Sequence, residues 1–254
     1  MPKTPSRSSA PVPAAARRTS AVAPRFTSDT LRFLRALKRN NDREWFRARR
    51  DEYDRVVRTP MIAVIERLAV DLARVAPEII ASPKTSLYRI YRDTRFSEDK
   101  SPLKTHISAS FRWRGLPKGG GAGLYLEVHP AWVWMGGGFY APDSPHLVRI
   151  REHLSTTYPE IHRIVRAPGF RREVGSLEGE KLTRLPRGFA NEDPASVYLK
   201  YKQYLAGQEF PAGFAADAGF YPALLRTFKA ILPLVRFLNE PLEDQATFTP
   251  SSRR

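Results

Sequence analysis

Cysteine is absent from this sequence, and long apolar runs are absent as well. Without cysteine the chain has no disulfide, no thiolate nucleophile and no cysteine-ligated zinc site. A membrane-spanning helix needs about 20 consecutive apolar residues, and the N-terminus lacks even the shorter apolar stretch of a signal peptide. We therefore expect a soluble, cytoplasmic protein that does not enter a membrane.

Acidic residues are missing from the first part of the chain. Residues 1–25 contain five basic side chains, five prolines and no acid. This composition is typical of a disordered tail, and the prolines disfavour the amphipathic helix of a transit peptide. We predict a disordered basic tail over residues 1–25, a single domain over 26–242 and a flexible C-terminal tail over 243–254.

The predicted domain is strongly basic. The net charge of the chain is +16; the N-terminal tail carries five of these charges and residues 243–254 sum to zero, which leaves +11 on residues 26–242. Such an excess raises the affinity for any polyanion. Codon usage in a GC-rich genome offers another explanation, because arginine outnumbers lysine by 32 to 10.

The N-terminal half of the domain has helical spacing. Leu31, Leu34 and Leu37 form the apolar face of a first helix. Asn41 and Glu44 resemble a capping pair for a second helix. Further helical patterns cover residues 59–76, 144–158, 159–166, 194–205 and 214–238.

Strand patterns lie between the helical regions. Residues 87–93 are rich in β-branched and aromatic side chains, and clear alternation follows over residues 106–113, 124–129 and 132–140. Short connections make such neighbours antiparallel. We therefore predict an α+β domain in which N- and C-terminal helices pack against a central, mainly antiparallel sheet of about four strands.

A dense cluster of charges on the first predicted strand and the loop after it marks the candidate site. The basic members are Arg89, Arg92, Arg95, Lys100 and Lys104, and the acidic members are Asp93, Glu98 and Asp99. Arginines fall on both faces of a regular strand here, so one of them is expected to be buried or to line a pocket. Guanidinium groups bind carboxylate or phosphate at two points. An internal arginine–carboxylate pair is the alternative.

Several recognisable site motifs are missing. The five histidines have no metal-ligand spacing, so we predict no metal site. Residues 136–138 are three glycines without the Gly-x-Gly-x-x-Gly spacing of a dinucleotide site. The sequence therefore indicates no particular cofactor. Glycine in a strand is typical of a bulge or of close approach by another group. Tyr140, which follows this run, is predicted to contact a ligand.

The chain resembles the conserved family known as domain of unknown function 2461. The segments that carry the resemblance are residues 40–46, 89–102, 136–142, 182–189 and 193–194. The match implies one domain over most of the ordered chain, but it implies no activity, cofactor or catalytic residue. Leu103 departs from the pattern, because an aromatic residue, usually tyrosine, is expected at this position. The departure favours a packing role there.

Three hypotheses about function follow from these features. In the first, the protein binds a phosphorylated or carboxylated small molecule, and it acts on that molecule if it is an enzyme. The anion would be held by Arg89, Arg92, Arg95, Lys100, Lys104 and Tyr140. Asp93 and Asp99 would orient the cations or act as bases, and His106, the histidine beside the charged cluster, would carry protons.

The other two hypotheses use the same residues differently. A nucleic-acid-binding protein would use the basic surface together with Tyr88, Tyr91, Phe96 and Trp113 as stacking groups. A structural or interaction protein would instead use the arginines as internally paired cross-ties. The sequence leaves the oligomeric state open.

Overall fold

Four helices open the part of the chain that the computed structural model describes, residues 23–95 and 97–243. They are α1 (Ser28–Arg39), α2 (Arg43–Arg47), α3 (Arg50–Tyr53) and α4 (Thr59–Leu72), with a π-helical turn at Asp54–Arg58. The predicted apolar face of α1 is buried. Most of the predicted N-terminal tail, residue 96 and residues 244–254 lie outside the described residues.

The start of α2 differs from the predicted capping pair. Asp42 is the N-cap, and its Oδ1 accepts hydrogen bonds from the backbone N–H groups of Glu44 and Trp45, both at 2.8 Å. Asn41 instead pairs with the main chain of Leu103. The predicted Asn41–Glu44 capping box is therefore wrong. The Asn41 side chain is hydrogen-bonded to Leu103, and the Asp42 carboxylate caps the helix instead.

A five-stranded antiparallel sheet forms the centre and confirms the predicted α+β class. The strands are β1 (Ile79–Ile80), β2 (Ile107–Trp113), β3 (Gly123–Val128), β4 (Trp132–Phe139) and β5 (Tyr204–Pro211), adjacent in that order. A short helix, α5 (Pro83–Ser86), follows β1. The predicted inner face of β2 is buried, from Ile107 to Trp113 in alternation, so the period-2 pattern identified the face correctly.

Residues 87–93 do not form the predicted regular strand. Single bridges join Leu87 to Ala109 and Tyr91 to Leu103, and the backbone N–H of Arg92 donates to the carbonyl of Pro102 at 3.0 Å. Because Pro102 has no backbone N–H, it cannot donate a hydrogen bond back to Arg92, and a continuous ladder of hydrogen bonds cannot form at this point. The result is an irregular ribbon, residues 87–95 and 97–106, that extends the edge of β2.

The predicted helix at residues 194–205 is also largely wrong. The helix α9 covers only Ser196–Leu199, and Tyr204 already begins β5. In β5, Tyr204 and Ala206 are buried and pair with Phe139 and Gly137 of β4. This pairing with a distant strand overrides the local helical pattern.

C-terminal helices form a layer against the sheet. They are α6 (Ser144–Thr156), α7 (Tyr158–Arg166), α8 (Pro168–Val174) and α10 (Phe220–Glu243), with a 3-10 helix at Ala212–Ala216. In this layer α8 and α10 contact the inner face of the sheet, while α6 and α7 pack against α10. On this face Phe228 of α10 meets Phe111 of β2 edge to face, with ring centroids 5.5 Å apart. In the described ranges no helix has both the length and the apolar character that crossing a membrane requires.

Candidate functional site

Two arginine–aspartate pairs lie within the charged ribbon. Arg92 contacts Asp99 through Nη1, and its Nη2 donates to Ser97 Oγ at 3.2 Å. Arg95 binds Asp93 at two points, at 3.0 and 2.8 Å. The Arg92 side chain is 26% exposed and that of Arg95 is 76% exposed, so only Arg92 is half-buried. Both pairs join residues of the same loop, not two layers of the fold.

The two aspartates are held in the ionised state. The Arg95 side chain lowers the pKa of Asp93 to about 2. Hydrogen bonds from Ser101, followed by one from Arg92, lower the pKa of Asp99 well below its usual range. A carboxylate with such a low pKa is a weak base at neutral pH, and both groups are placed to orient arginines.

Three further predicted residues are exposed. Arg89 and Lys100 lie on the surface, and Lys100 Nζ donates to the carbonyl of Thr94 at 3.1 Å. Burial and, to a smaller extent, the charge of Arg89 lower the pKa of Lys104, so Arg89 lies near that lysine. Tyr140 is 75% exposed. It follows the end of β4 that pairs with the start of β3, whereas His106 precedes β2 at the opposite end of the sheet. The structure therefore does not bring Tyr140 next to the charged ribbon.

Lys104 and His106 do converge, on the outer face of the sheet. The register places Ser108 of β2 beside Glu127 of β3, and Glu127 beside Trp134 of β4. We call the group formed by Tyr88, Lys104, His106, Tyr125 and Glu127 the sheet-face cluster. Each member is partly buried, so its polar groups act in a medium less polar than water.

Glu127 lies at the centre of this cluster. Its Oε2 accepts a hydrogen bond of 2.5 Å from the Tyr125 hydroxyl, and its Oε1 is 3.4 Å from His106 Nδ1. The carboxylate is only 13% exposed. Burial raises its pKa, and the hydrogen bond from Tyr125 opposes that shift. A carboxyl group in this environment exchanges a proton closer to neutral pH than an exposed one.

Lys104 supplies a cation next to this carboxyl group. Its Nζ lies 4.6 Å from the ring centroid of Tyr88, within cation–π range. Burial lowers the pKa of Lys104, whereas the nearby Glu127 acts to raise it. The backbone N–H of Lys104 donates to the carbonyl of Ile90 at 2.8 Å, which fixes the residue to the ribbon.

His106 completes the cluster as a neutral base. Burial, followed by the positive charges of Lys104 and Arg92, lowers its pKa from 6.5 to about 4. At pH 7 the imidazole is therefore uncharged, and its 3.4 Å approach to Glu127 is not an ion pair. A neutral imidazole can accept a proton or donate a hydrogen bond.

Aromatic rings continue the outer face beyond the cluster. The ring of Tyr125 lies 6.3 Å from Tyr88 and 6.0 Å from Trp134 between centroids. A Cβ on Gly136 or Gly207 would collide with the Trp134 indole. The glycines thus let the indole lie on the sheet. This explains Gly136 as a close structural contact and not as part of a phosphate cradle.

The comparisons with known proteins identify a family but no characterised relative. The model of the family described as "Conserved hypothetical protein (DUF2461)" matches residues 29–237. The chain belongs to the DUF2461 family. A comparison with curated proteins found no match, and one with solved structures found none either.

The position at which this DUF2461 chain departs from the expected pattern is a packing position. Leu103 is fully buried. Its backbone N–H and C=O pair with the side chain of Asn41 at 3.1 and 2.9 Å. Residue 103 thus fixes the ribbon to the N-terminal helices.

The site in this DUF2461 chain includes residues that sequence reasoning did not select. Tyr125 and Glu127 lie on the same face of β3, but no local sequence pattern indicates that they meet His106. In the described ranges, no group of three or more His, Asp or Glu side chains lies close enough together to hold a metal ion.

We expect His106 to make the stability of the protein depend on pH. The unfolded chain binds a proton at His106 with a pKa of 6.5, whereas the folded chain does so only near pH 4. The unfolded state thus binds more protons between these values, and stability falls as the pH is lowered through this window. Relative to His106→Gln, the wild type should lose about 2 kcal/mol between pH 7 and pH 5.

Urea unfolding of both proteins at the two pH values measures this difference. The glutamine variant retains a polar side chain but cannot titrate, so pH effects of the carboxylates cancel in the comparison. An identical pH dependence of the two proteins would show that His106 is not held neutral by the fold.

Proposed function

We propose that the protein binds a phosphorylated or carboxylated small molecule on the outer face of its sheet. The observation that carries this proposal is the convergence of Lys104, His106 and Glu127 in one partly buried cluster. Titratable groups with displaced pKa values in a shared environment are typical of functional sites. The aromatic rings of Tyr88 and Tyr125 supply apolar surface beside the charges.

Lys104 is the cation best placed to hold the anion. It is partly buried, and its ammonium group lies against the Tyr88 ring, where it keeps its charge for a ligand. Arg92 adds positive potential to the cluster, as its effect on the pKa values of His106 and Lys104 indicates. Asp99 orients Arg92, and Asp93 orients Arg95, in keeping with their low pKa values.

Proton uptake on binding follows from the position of Glu127. A bound anion repels the Glu127 carboxylate, which raises the pKa of that group further. The same anion favours the protonated form of His106. Binding therefore takes up protons, and the affinity should rise as the pH falls. If the protein is an enzyme, these two groups are the ones that exchange protons with the substrate.

A second candidate function is binding of single-stranded nucleic acid. The row of Tyr88, Tyr125 and Trp134 rings across an antiparallel sheet favours it, because such rings stack on unpaired bases. The charge of +16 adds a general attraction to phosphates. Affinity for an oligonucleotide would then fall steeply with salt.

Titration of the full chain with sulfate, succinate, phosphate and sugar phosphates tests the first proposal. A short oligonucleotide is titrated in parallel to test the second. Sulfate does not change its charge across the pH range used, so any protons taken up on sulfate binding are bound by the protein and not by the ligand. We expect Lys104→Gln to weaken anion binding about tenfold or more. Lys229→Gln removes the same charge from an exposed position on α10 and should leave binding nearly unchanged.

Glu127→Gln provides the decisive comparison. It should bind the anion more tightly than wild type at pH 8, because the repelling carboxylate is gone, and its affinity should vary less with pH. Equal losses in Lys104→Gln and Lys229→Gln would overturn the proposal. A response to the oligonucleotide alone, vanishing at high salt, would favour the second candidate, and no response at all would favour locally paired arginines with a structural role.

A further inference from the structure

An open pocket of about 510 Å³ is lined by residues that do not belong to the sheet-face cluster. Its walls are Arg43, Phe46, Arg47, Arg50 and Tyr91, and we call it the arginine pocket. The volume falls in the range of small-ligand sites, roughly 300–1,000 Å³. Four of the five residues come from α2 and α3, and Tyr91 comes from the ribbon.

The three arginines share one side of the helical segment. They stand at positions i, i+4 and i+7, a spacing that places side chains on the same face across the α2–α3 junction. Asp42, the acid that precedes them, has its carboxylate occupied by two backbone N–H groups of α2. Backbone hydrogen bonds and, to a smaller extent, the charge of Arg47 lower the pKa of Asp42. This carboxylate therefore stays ionised and offsets part of the positive charge of the three arginines.

Two of these guanidinium groups remain available for a ligand. Within residues 23–95 and 97–243, neither Arg43 nor Arg47 lies within ion-pair distance of a carboxylate, and both are exposed. Arg50 is held in place: its Nε donates to Asp54 Oδ2 at 3.0 Å and its guanidinium carbon lies 5.7 Å from the Phe46 ring centroid. A fixed arginine beside two unpaired ones is suited to a dianion.

Aromatic surface completes the pocket. Phe46 is 1% exposed and forms its base, whereas Tyr91 is 44% exposed and offers a ring to the opening. The two rings meet edge to face, with centroids 6.0 Å apart and an interplanar angle of 83°. The bridge between Tyr91 and Leu103 fixes the main chain of Tyr91, so this ring is placed before any ligand arrives.

We propose that the arginine pocket binds a mononucleotide-like ligand, a phosphate ester that carries a planar aromatic ring. Arg43, Arg47 and Arg50 hold the phosphate, and the ring of the ligand stacks on Tyr91. The site shares no residue with the sheet-face cluster, because Tyr88 of the ribbon packs beside Tyr125 and Tyr91 packs on Phe46. A substitution in one site therefore removes no residue of the other.

Calorimetric titration of the full chain with adenosine 5′-monophosphate tests the pocket. Arg47→Gln should weaken binding about tenfold or more. Arg49→Gln is the matched control: it removes the same charge two residues away, from a side chain that lies 4.6 Å over the Trp45 ring and does not line the pocket. We expect the control to change affinity less than about twofold. Tyr91→Leu should weaken binding of the nucleotide but not of inorganic phosphate.

Three outcomes would overturn this proposal. The first is no heat of binding with millimolar nucleotide in the wild-type protein. The second is an equal loss in Arg47→Gln and Arg49→Gln, which would indicate unspecific attraction by a basic surface. The third is loss of nucleotide binding in Lys104→Gln with none in Arg47→Gln, which would assign the nucleotide to the sheet-face cluster instead.

Discussion

Gly138→Ala is expected to lower the free energy of unfolding by about 3 to 5 kcal/mol, from backbone strain and overpacking together. Gly138 in β4 has φ +123°, a conformation that residues with a side chain rarely adopt. A Cβ there would collide with the carbonyl oxygen of Tyr204 on the paired strand β5. Because Gly138 lies inside a ladder, neither strand can move without loss of sheet hydrogen bonds.

Two other glycines separate the causes of this effect. Gly175 has φ +75°, but a methyl group added there would meet no atom within 4 Å, so Gly175→Ala measures the cost of backbone strain alone. Gly169 lies in α8 with ordinary φ and open space, and Gly169→Ala should leave stability unchanged or raise it. Guanidinium unfolding followed by circular dichroism measures all three. Equal stability of Gly138→Ala and wild type would contradict the observed backbone.

Asn41→Ala is expected to destabilise the protein by about 2 to 3 kcal/mol, because it leaves two partly buried backbone groups without partners. The Asn41 side chain both donates to the Leu103 carbonyl and accepts from the Leu103 N–H. These two bonds link the start of α2 to the ribbon. We therefore expect the variant to weaken ligand binding at Lys104 as well as stability.

The neighbouring Asn40 provides a control of the same residue type. Its side chain donates to the carbonyl of Ala36 in an exposed, local hydrogen bond. Asn40→Ala should cost less than about 1 kcal/mol and leave binding of the anion unchanged. Chemical unfolding and a sulfate titration of both variants measure the two effects. Similar losses in the two variants would show that Asn41 does not hold the ribbon in place.

The class of the fold was accessible from sequence because its signals are local. Leu31, Leu34 and Leu37 show a helical period, and the alternation from Ile107 to Trp113 shows a strand with one buried face. The strand β5 was missed because Tyr204 and Ala206 become buried through pairing with Phe139 and Gly137 of β4. That pairing joins residues more than 60 positions apart, and no local pattern indicates it.

The candidate site was predictable only in part, and for a related reason. The density of charges over residues 89–104 predicted the candidate site, which included Lys104, and His106 was predicted because it adjoins these residues. Glu127 was not selected, since its meeting with His106 depends on the register between β2 and β3. Arg43, Arg47 and Arg50 resemble an ordinary basic helix face until Tyr91 is placed beside them.

Composition and local pattern were enough to establish the α+β class, the basic charge and the family to which the chain belongs. Each of these depends on residue counts, on periodicity within one element or on a contiguous motif. Which charges are paired within the ribbon, and which face a cluster or a pocket, became clear only from the folded chain. The physical reason is that pairing and burial depend on distances between separate elements, and these distances are set when the sheet forms and the helices pack on it.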